Sequence, residues 1–529
     1  MPLIFPLFCA VAALAASLAG LAAASDLRQP VRIETGLIEG VDNPQNAVVA
    51  FKGIPYAAPP LGNLRWREPQ PPAKWEGVRK ADKFGAQCAQ PHGASPILPY
   101  CLTKPRESEP AAYSEDCLFL NVWTPAQAAT DKLSVLVFIC PGSFSGEGLA
   151  KKGIIVVTLN HRLGIVGGMG HPELTKESPQ HLCGDYGMLD IIAALQWVHN
   201  NIAAFGGDPS KVAIAGYSVG STSVHHLTTS PVAKGLFRAA ICMSFPYDYL
   251  TAPHKVGGVW QKEQEGLKFA AVKKTPSIEG LRKLSADELT ANDPALNGFT
   301  RAVLGAAFCL DGWALPWEYP AALDKGLESD VPTLTGFTAD DFGPPVEQLK
   351  TTVASFAQEV PNVFGENRNV FLAQKEAFLA LCPLKTDPGA RELLKRTQLE
   401  YRMSTVFYWA KRRIKTAKTS VYTYLFEQAI PCKDHPEFGA FHTSDLVYWF
   451  NNLNTLDYPW TEGDRRVADQ ASSYLVNFVK TGNPNGEHLP DWAPFNAGNP
   501  STMALGTHPG PRPIAGNERL EFYRGLLEK

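Results

Sequence analysis

The stretch Val212-Ala213-Ile214-Ala215-Gly216-Tyr217-Ser218-Val219-Gly220 constrains the chain more than any other. Its first residues are short and apolar and read as a buried strand. They run directly into Gly-x-Ser-x-Gly, and Ser221-Thr222-Ser223-Val224-His225-His226-Leu227 then continues as a helix. A strand that turns into a helix so abruptly leaves no room for side chains beside the turn. Gly216 and Gly220 are therefore steric requirements, and Ser218 sits in a strained backbone with its hydroxyl exposed. The Val219 N–H points into the same space, where it can stabilise an oxyanion. The pentapeptide alone is a weak signal. The strand before it and the helix after it supply the context that a nucleophile elbow needs.

The chain has 529 residues, 45% hydrophobic and 19% charged, a globular composition with ample core. Length alone suggests about three domains. No Pro/Ser/Gly linker or charge run separates them, so one domain with insertions over residues 26–529 is expected. A net charge of −3 without a basic block argues against nucleic acid or an anionic membrane surface as partner.

Residues 3–21 are almost wholly apolar, and Ala22-Ala23-Ala24-Ser25 supplies small residues for cleavage, so residues 1–25 read as a signal peptide. No Lys or Arg precedes the apolar run, and a membrane anchor is the other reading. The run is barely long enough to span a bilayer. Cleavage is favoured, which makes the mature chain secreted or periplasmic and free of the membrane. Of ten cysteines, Cys9 leaves with the signal, and the odd remainder leaves at least one thiol unpaired in an oxidising compartment. The chain holds no Asn-x-Ser/Thr sequon with a permitted middle residue, which leans toward a bacterial protein.

Taken in order, residues 32–40 form an edge hairpin, residues 48–56 a strand, and the Pro-rich stretch after it a surface loop. Residues 135–139 and 153–160 are buried strands. A helix follows Gly184, with Ile191, Leu195, Val198 and Ile202 at helical spacing, and it stops near Gly206-Gly207-Asp208-Pro209. Residues 330–336 and 420–426 are further strands, and residues 468–479 an amphipathic helix. Strands alternating with helices imply parallel pairing through right-handed crossovers.

As a string, residues 51–72 resemble the N-terminal signature of the type-B carboxylesterase/cholinesterase family, and residues 114–122 its second signature. The resemblance covers nearly the whole mature chain. It implies an α/β-hydrolase fold, with a mostly parallel central sheet, helices on both faces and helical cap insertions, here near residues 261–304. In that fold the partners of the serine follow in the order acid, histidine. His442, in Gly439-Ala440-Phe441-His442-Thr443-Ser444-Asp445-Leu446, resembles the family's catalytic histidine. Gly336-Phe337-Thr338-Ala339-Asp340-Asp341 resembles the segment carrying the acid, with Asp341 at the position usually held by glutamate and Asp340 as the alternative. Aspartate is one methylene shorter, so the histidine or its loop must shift.

Where the family has a His-Gly-Gly-Gly-type run, this chain has Cys140-Pro141-Gly142-Ser143. The oxyanion donors carried over are the N–H groups of Gly142, Ser143 and Val219. Tyr217 stands where the family commonly has glutamate. Cys88 and Cys117 match a family disulfide, with Cys101 as a competitor inside its loop, and Cys382 with Cys432 is a further candidate pair. That loop holds no tryptophan, which argues against a choline-ester substrate. Glu115 with Arg162 resembles a structural ion pair. Phe245, Tyr247, Tyr249, Trp313 and Trp317 are either pocket walls or plain core.

The resemblance thus implies an exported serine esterase that cleaves a small-molecule carboxylic ester through an acyl-enzyme, with no metal and no cofactor. A weakly active or non-catalytic binding protein on the same fold is the competing class, and amide or carbamate hydrolysis a third reading.

Overall fold

The computed structural model describes residues 27–90, 113–139, 144–244, 257–291, 308–341, 350–432 and 436–528. The leader, Cys101, Cys140 to Ser143 with two of the three expected oxyanion donors, and Phe245, Tyr247 and Tyr249 lie outside the described residues.

The apolar runs assemble into an eleven-stranded sheet. Its strands are β1 (Val41–Asn43), β2 (Val48–Pro55), β3 (Phe119–Thr124), β4 (Leu133–Ile139), β5 (Ile155–Leu159) and β6 (Gly207–Tyr217). They continue as β7 (Ala239–Met243), β8 (Thr333–Thr338), β9 (Val421–Phe426), β10 (Ser501–Leu505) and β11 (Gly510–Pro513). The spatial order is β11-β10-β9-β8-β7-β6-β4-β5-β3-β2-β1. From β5 through β10 all neighbours pair parallel, and the outer strands pair antiparallel. Residues 31–39 form the expected hairpin in a separate small sheet.

Around the sheet lie α1 (Tyr186–Asn201), α2 (Val219–Thr229), α3 (Val259–Val272), α4 (Asp387–Arg413), α5 (Glu462–Thr481) and α6 (Asn517–Leu527). Strand β4 shows why the run from Val135 to Ile139 is unbrokenly apolar. Val135, Val137 and Ile139 join one core with Ile191 and Leu195 of α1 and Val224 of α2. Leu136 and Phe138 join another with Leu475 and Phe478 of α5. Alternate residues face opposite sides, and helices cover both. Helix α5 stops at Gly482, whose φ of 78° is the left-handed cap that glycine adopts without strain. Between β7 and β8, α3 and the short helices Ile278–Leu281 and Ala286–Thr290 occupy the expected cap region. Among the described residues no helix is long and apolar enough to cross a membrane.

Several expectations need correction. The Pro-rich stretch is not only a surface loop: Trp66 is buried and its indole N–H donates to the Ile165 carbonyl at 2.9 Å. Its neighbour Arg65 takes Glu115 in a two-pronged contact of 2.7 and 2.5 Å. Glu115 is thereby unavailable to Arg162, which pairs instead with Asp190 of α1 at 2.8 and 2.7 Å, both side chains fully buried. The disulfide expected between Cys88 and Cys117 is not formed. Both are buried thiols, with the Cys117 thiol hydrogen-bonded to Cys88. The Cys88 sulfur also accepts the Leu163 N–H at 3.1 Å. Cys382 and Cys432 are free thiols packed in different apolar clusters, which keeps them unpaired.

Candidate active site

Strand β6 ends at Tyr217 and α2 begins at Val219, so Ser218 alone makes the turn. Its φ of 55° and ψ of −117° lie where a non-glycine residue is strained by about 1–3 kcal/mol. Two backbone bonds hold it there. The Ser218 N–H donates to the Met243 carbonyl on β7 at 2.9 Å, and the Ser218 carbonyl accepts the Thr222 N–H at 3.2 Å. A Cβ on Gly216 would run into the Gly220 carbonyl, which is the steric requirement read from the sequence. Ser218 and Val219 stay half-buried while Tyr217 and Gly220 are buried, so the hydroxyl remains reachable. The Val219 N–H opens α2, where helix geometry leaves it without an intrahelical partner.

Two residues beyond the end of β8, the adjacent aspartates diverge. Asp341 is buried, and its Oδ1 meets His442 Nδ1 in a hydrogen bond. Its Oδ2 accepts the Thr338 N–H at 3.4 Å. Asp340 turns to the backbone: its N–H donates to the Ala440 carbonyl at 2.9 Å, and its carboxylate accepts the Ala440 N–H at 2.8 Å. The same carboxylate pairs with Lys395 of α4. Gly439, at φ 58°, has no space for a Cβ because the Asp340 carboxylate occupies it. Asp340 thus draws the 439–441 segment in, which lets the shorter Asp341 reach the imidazole.

Burial alone would lower the His442 pKa. The Asp341 carboxylate, hydrogen-bonded to the ring, and then Asp445 override it and leave the pKa above the ordinary value. With Nδ1 held by a carboxylate, the imidazole presents Nε2 as a proton acceptor. The imidazole lies against the ring of Tyr217, the residue before Ser218. A strained serine and a carboxylate-held imidazole are the groups that acyl transfer uses.

The model of the Carboxylesterase family matches residues 28–523. The chain belongs to this family. It is 31% identical over 487 residues to the fumonisin B1 esterase of Sphingopyxis macrogoltabida, covering 87% of this chain and 84% of that protein. To the para-nitrobenzyl esterase of Bacillus subtilis (strain 168) it is 32% identical over 509 residues, 90% of this chain and 94% of that one. Identity to the human cocaine esterase is 29% over 533 residues, 95% and 92% of the two chains. Membership carries the α/β-hydrolase fold seen in the sheet, and hydrolysis of carboxylic esters by a serine hydrolase.

In this carboxylesterase-family chain the structure adds a residue that the sequence reading passed over. Asp445 is fully buried, and its Oδ2 accepts the Trp449 indole N–H at 3.0 Å. Burial, and then the Asp341 carboxylate, push its pKa up to about 7. The only sequence signal was an acid three positions past His442, in a loop read for its histidine alone. Trp313 and Trp317 are not plain core: both are more than a third exposed, and Trp317 carries the Lys325 ammonium 4.1 Å from its ring centre. A cavity of about 540 Å³ opens beside Asp340, but charged residues such as Glu392, Lys395, Arg396 and Arg512 line it, which suits no apolar acyl or alcohol group.

Proposed function

We propose that the chain is an exported serine esterase acting on uncharged or anionic carboxylic esters of moderate size, through an acyl-enzyme on Ser218. The hydrogen bond between His442 Nδ1 and Asp341, on a loop packed against the strained Ser218 elbow, carries this reading. Ser218 attacks the ester carbonyl as His442 takes its proton. His442 then returns that proton to the leaving alkoxide, and the same steps with water free the acid. Asp341 fixes the tautomer and stabilises the imidazolium. The N–H of Val219, with those of Gly142 and Ser143, stabilises the oxyanion, and loss of one such donor costs about 100- to 1000-fold in turnover. The buried phenol of Tyr217 offers no carboxylate to a quaternary ammonium, which supports neutral or anionic substrates. Relatives named for fumonisin B1, para-nitrobenzyl and cocaine esters support a broad substrate range. Export rests on the leader at 1–25, and the remaining chain is read as one domain.

The test offers p-nitrophenyl acetate and butyrate to the wild type and to Ser218→Ala, with fluorophosphonate labelling alongside. Rapid release and labelling by the wild type, both lost in the variant, are expected. Equally slow release by both proteins would overturn the esterase reading and leave the binding-protein and the amide- or carbamate-hydrolysis readings.

A further inference from the structure

Tyr217 immediately precedes Ser218, and Thr443 immediately follows His442. The two are joined directly: the Thr443 N–H donates to the Tyr217 phenol oxygen at 2.5 Å. The ring also lies against the imidazole, with centroids 5.0 Å apart and planes at 59°. From these contacts we infer that Tyr217 is a positioning residue, which sets the place of the His442 base relative to the Ser218 nucleophile. This inference rests on the roles proposed for those two residues.

Thr443 explains why a hydrogen bond is needed at that point. It is β-branched, yet its φ is 78°, in the left-handed region that such residues avoid. A single residue held there costs about 1–3 kcal/mol and persists only where its surroundings over-determine it. The Tyr217 phenol is one such surrounding group. It is 3% exposed, so its oxygen is not free to exchange the Thr443 N–H for water. Burial, and then the carboxylates of Asp445 and Asp341, push its pKa well above the ordinary value, so the phenol keeps its proton.

The geometry leaves little slack. Tyr217 is fixed at its backbone by β6, which pairs with β4 on one side and β7 on the other. From the other end of the loop, Asp340 fixes Ala440. His442 is therefore bracketed. The bond to Ala440 governs where the loop enters, and the bond from Thr443 governs how it leaves. Asp341 fixes the ring's tautomer at Nδ1. The Tyr217 ring against the imidazole and its phenol oxygen on the Thr443 N–H add a second constraint, on where the ring stands.

Tyr217→Phe keeps the ring and removes the acceptor. For p-nitrophenyl acetate, kcat should fall about 10- to 100-fold, as for a base misplaced by about an ångström. KM should stay within about twofold, since the change removes a bond to the loop backbone and keeps the ring. The rate of fluorophosphonate labelling should fall with kcat. A variant whose kcat and labelling rate match the wild type overturns the positioning role, provided that Ser218→Ala is inactive. Activity that survives Ser218→Ala overturns the site reading, and this inference with it. Hydrogen exchange in the wild type gives a test that needs no variant. The Thr443 amide should be protected like the amides of β6, and exchange at open-loop rates would overturn the inference.

Discussion

The backbone of Ala440 is gripped twice by Asp340, which donates its N–H to the Ala440 carbonyl at 2.9 Å and accepts the Ala440 N–H on its carboxylate at 2.8 Å. Asp340 therefore shapes the histidine loop without touching the imidazole, which its neighbour Asp341 holds.

Asp340→Asn and Asp341→Asn should separate these two tasks. The Asp341→Asn variant keeps the shape but stabilises the wrong imidazole tautomer, and kcat should fall by about 10⁴-fold, the loss seen for the equivalent change in a serine protease triad. The Asp340→Asn variant keeps an oxygen for the Ala440 N–H and gives up only the contact to a half-exposed Lys395. Such pairs contribute about 1 kcal/mol or less, and kcat should stay within about fivefold. Steady-state kinetics on both variants decides, and the reverse pattern would move the acid to Asp340.

The pH profile of kcat/KM should carry its acid limb above the ordinary imidazole value of about 6.5. Catalysis needs neutral His442, and its pKa is raised by Asp341 and Asp445, so activity disappears as pH falls through that raised value. Asp445→Asn removes one of the two carboxylates and should move the limb toward lower pH. A limb that stays put would show that Asp445 does not act on the base.

Asp445 also makes a prediction about stability. Its folded pKa of about 7 lies above the value of about 3.9 expected in an unfolded chain. Between these values the folded state binds more protons than the unfolded one, so this group's contribution falls as pH rises from about 4 to about 7. Asp445→Asn removes the titration while an amide oxygen still accepts the Trp449 N–H. The difference in Tm between variant and wild type should be larger, in favour of the variant, at pH 8 than at pH 5. Thermal unfolding at both pH values checks this.

Cys88 and Cys117 are buried free thiols. Non-reducing peptide mapping of the purified chain should recover both unpaired, and reductant should leave the Tm unchanged. A Cys88–Cys117 bond in the map would restore the disulfide that the family resemblance implies.

The fold was legible wherever period and punctuation agreed. The elbow, the apolar strands and the glycine stop of α5 could all be read from local residues, because neighbours in sequence cause them. Asp341 and His442 are legible instead from the resemblance of their segments to the family's acid and histidine loops, and the structure joins these two by a hydrogen bond. What escaped were pairings between distant segments. Arg65 takes Glu115 ahead of Arg162, and Trp66 is buried beneath a loop whose composition reads as solvent-exposed. Asp445 and the Tyr217–Thr443 bond depend on which loop meets which strand end, and no local pattern encodes that meeting.

Ser218 leaves the end of β6, Asp341 follows the end of β8, and only β7 lies between them. A ladder of amides joins the three: Ser218 to Met243 at 2.9 Å, then Ser244 to Gly336 at 2.8 Å. Adjacent strands stand about 4.8 Å apart, so the two strand ends are separated by about 9.6 Å. That span is a yardstick ruled by peptide chemistry and is indifferent to which side chains decorate the rim. Surface segments can be swapped for others of different length or polarity without recalibrating the gap that one imidazole must bridge. A scaffold with so invariant a gauge can change its clientele while leaving its reaction centre untouched.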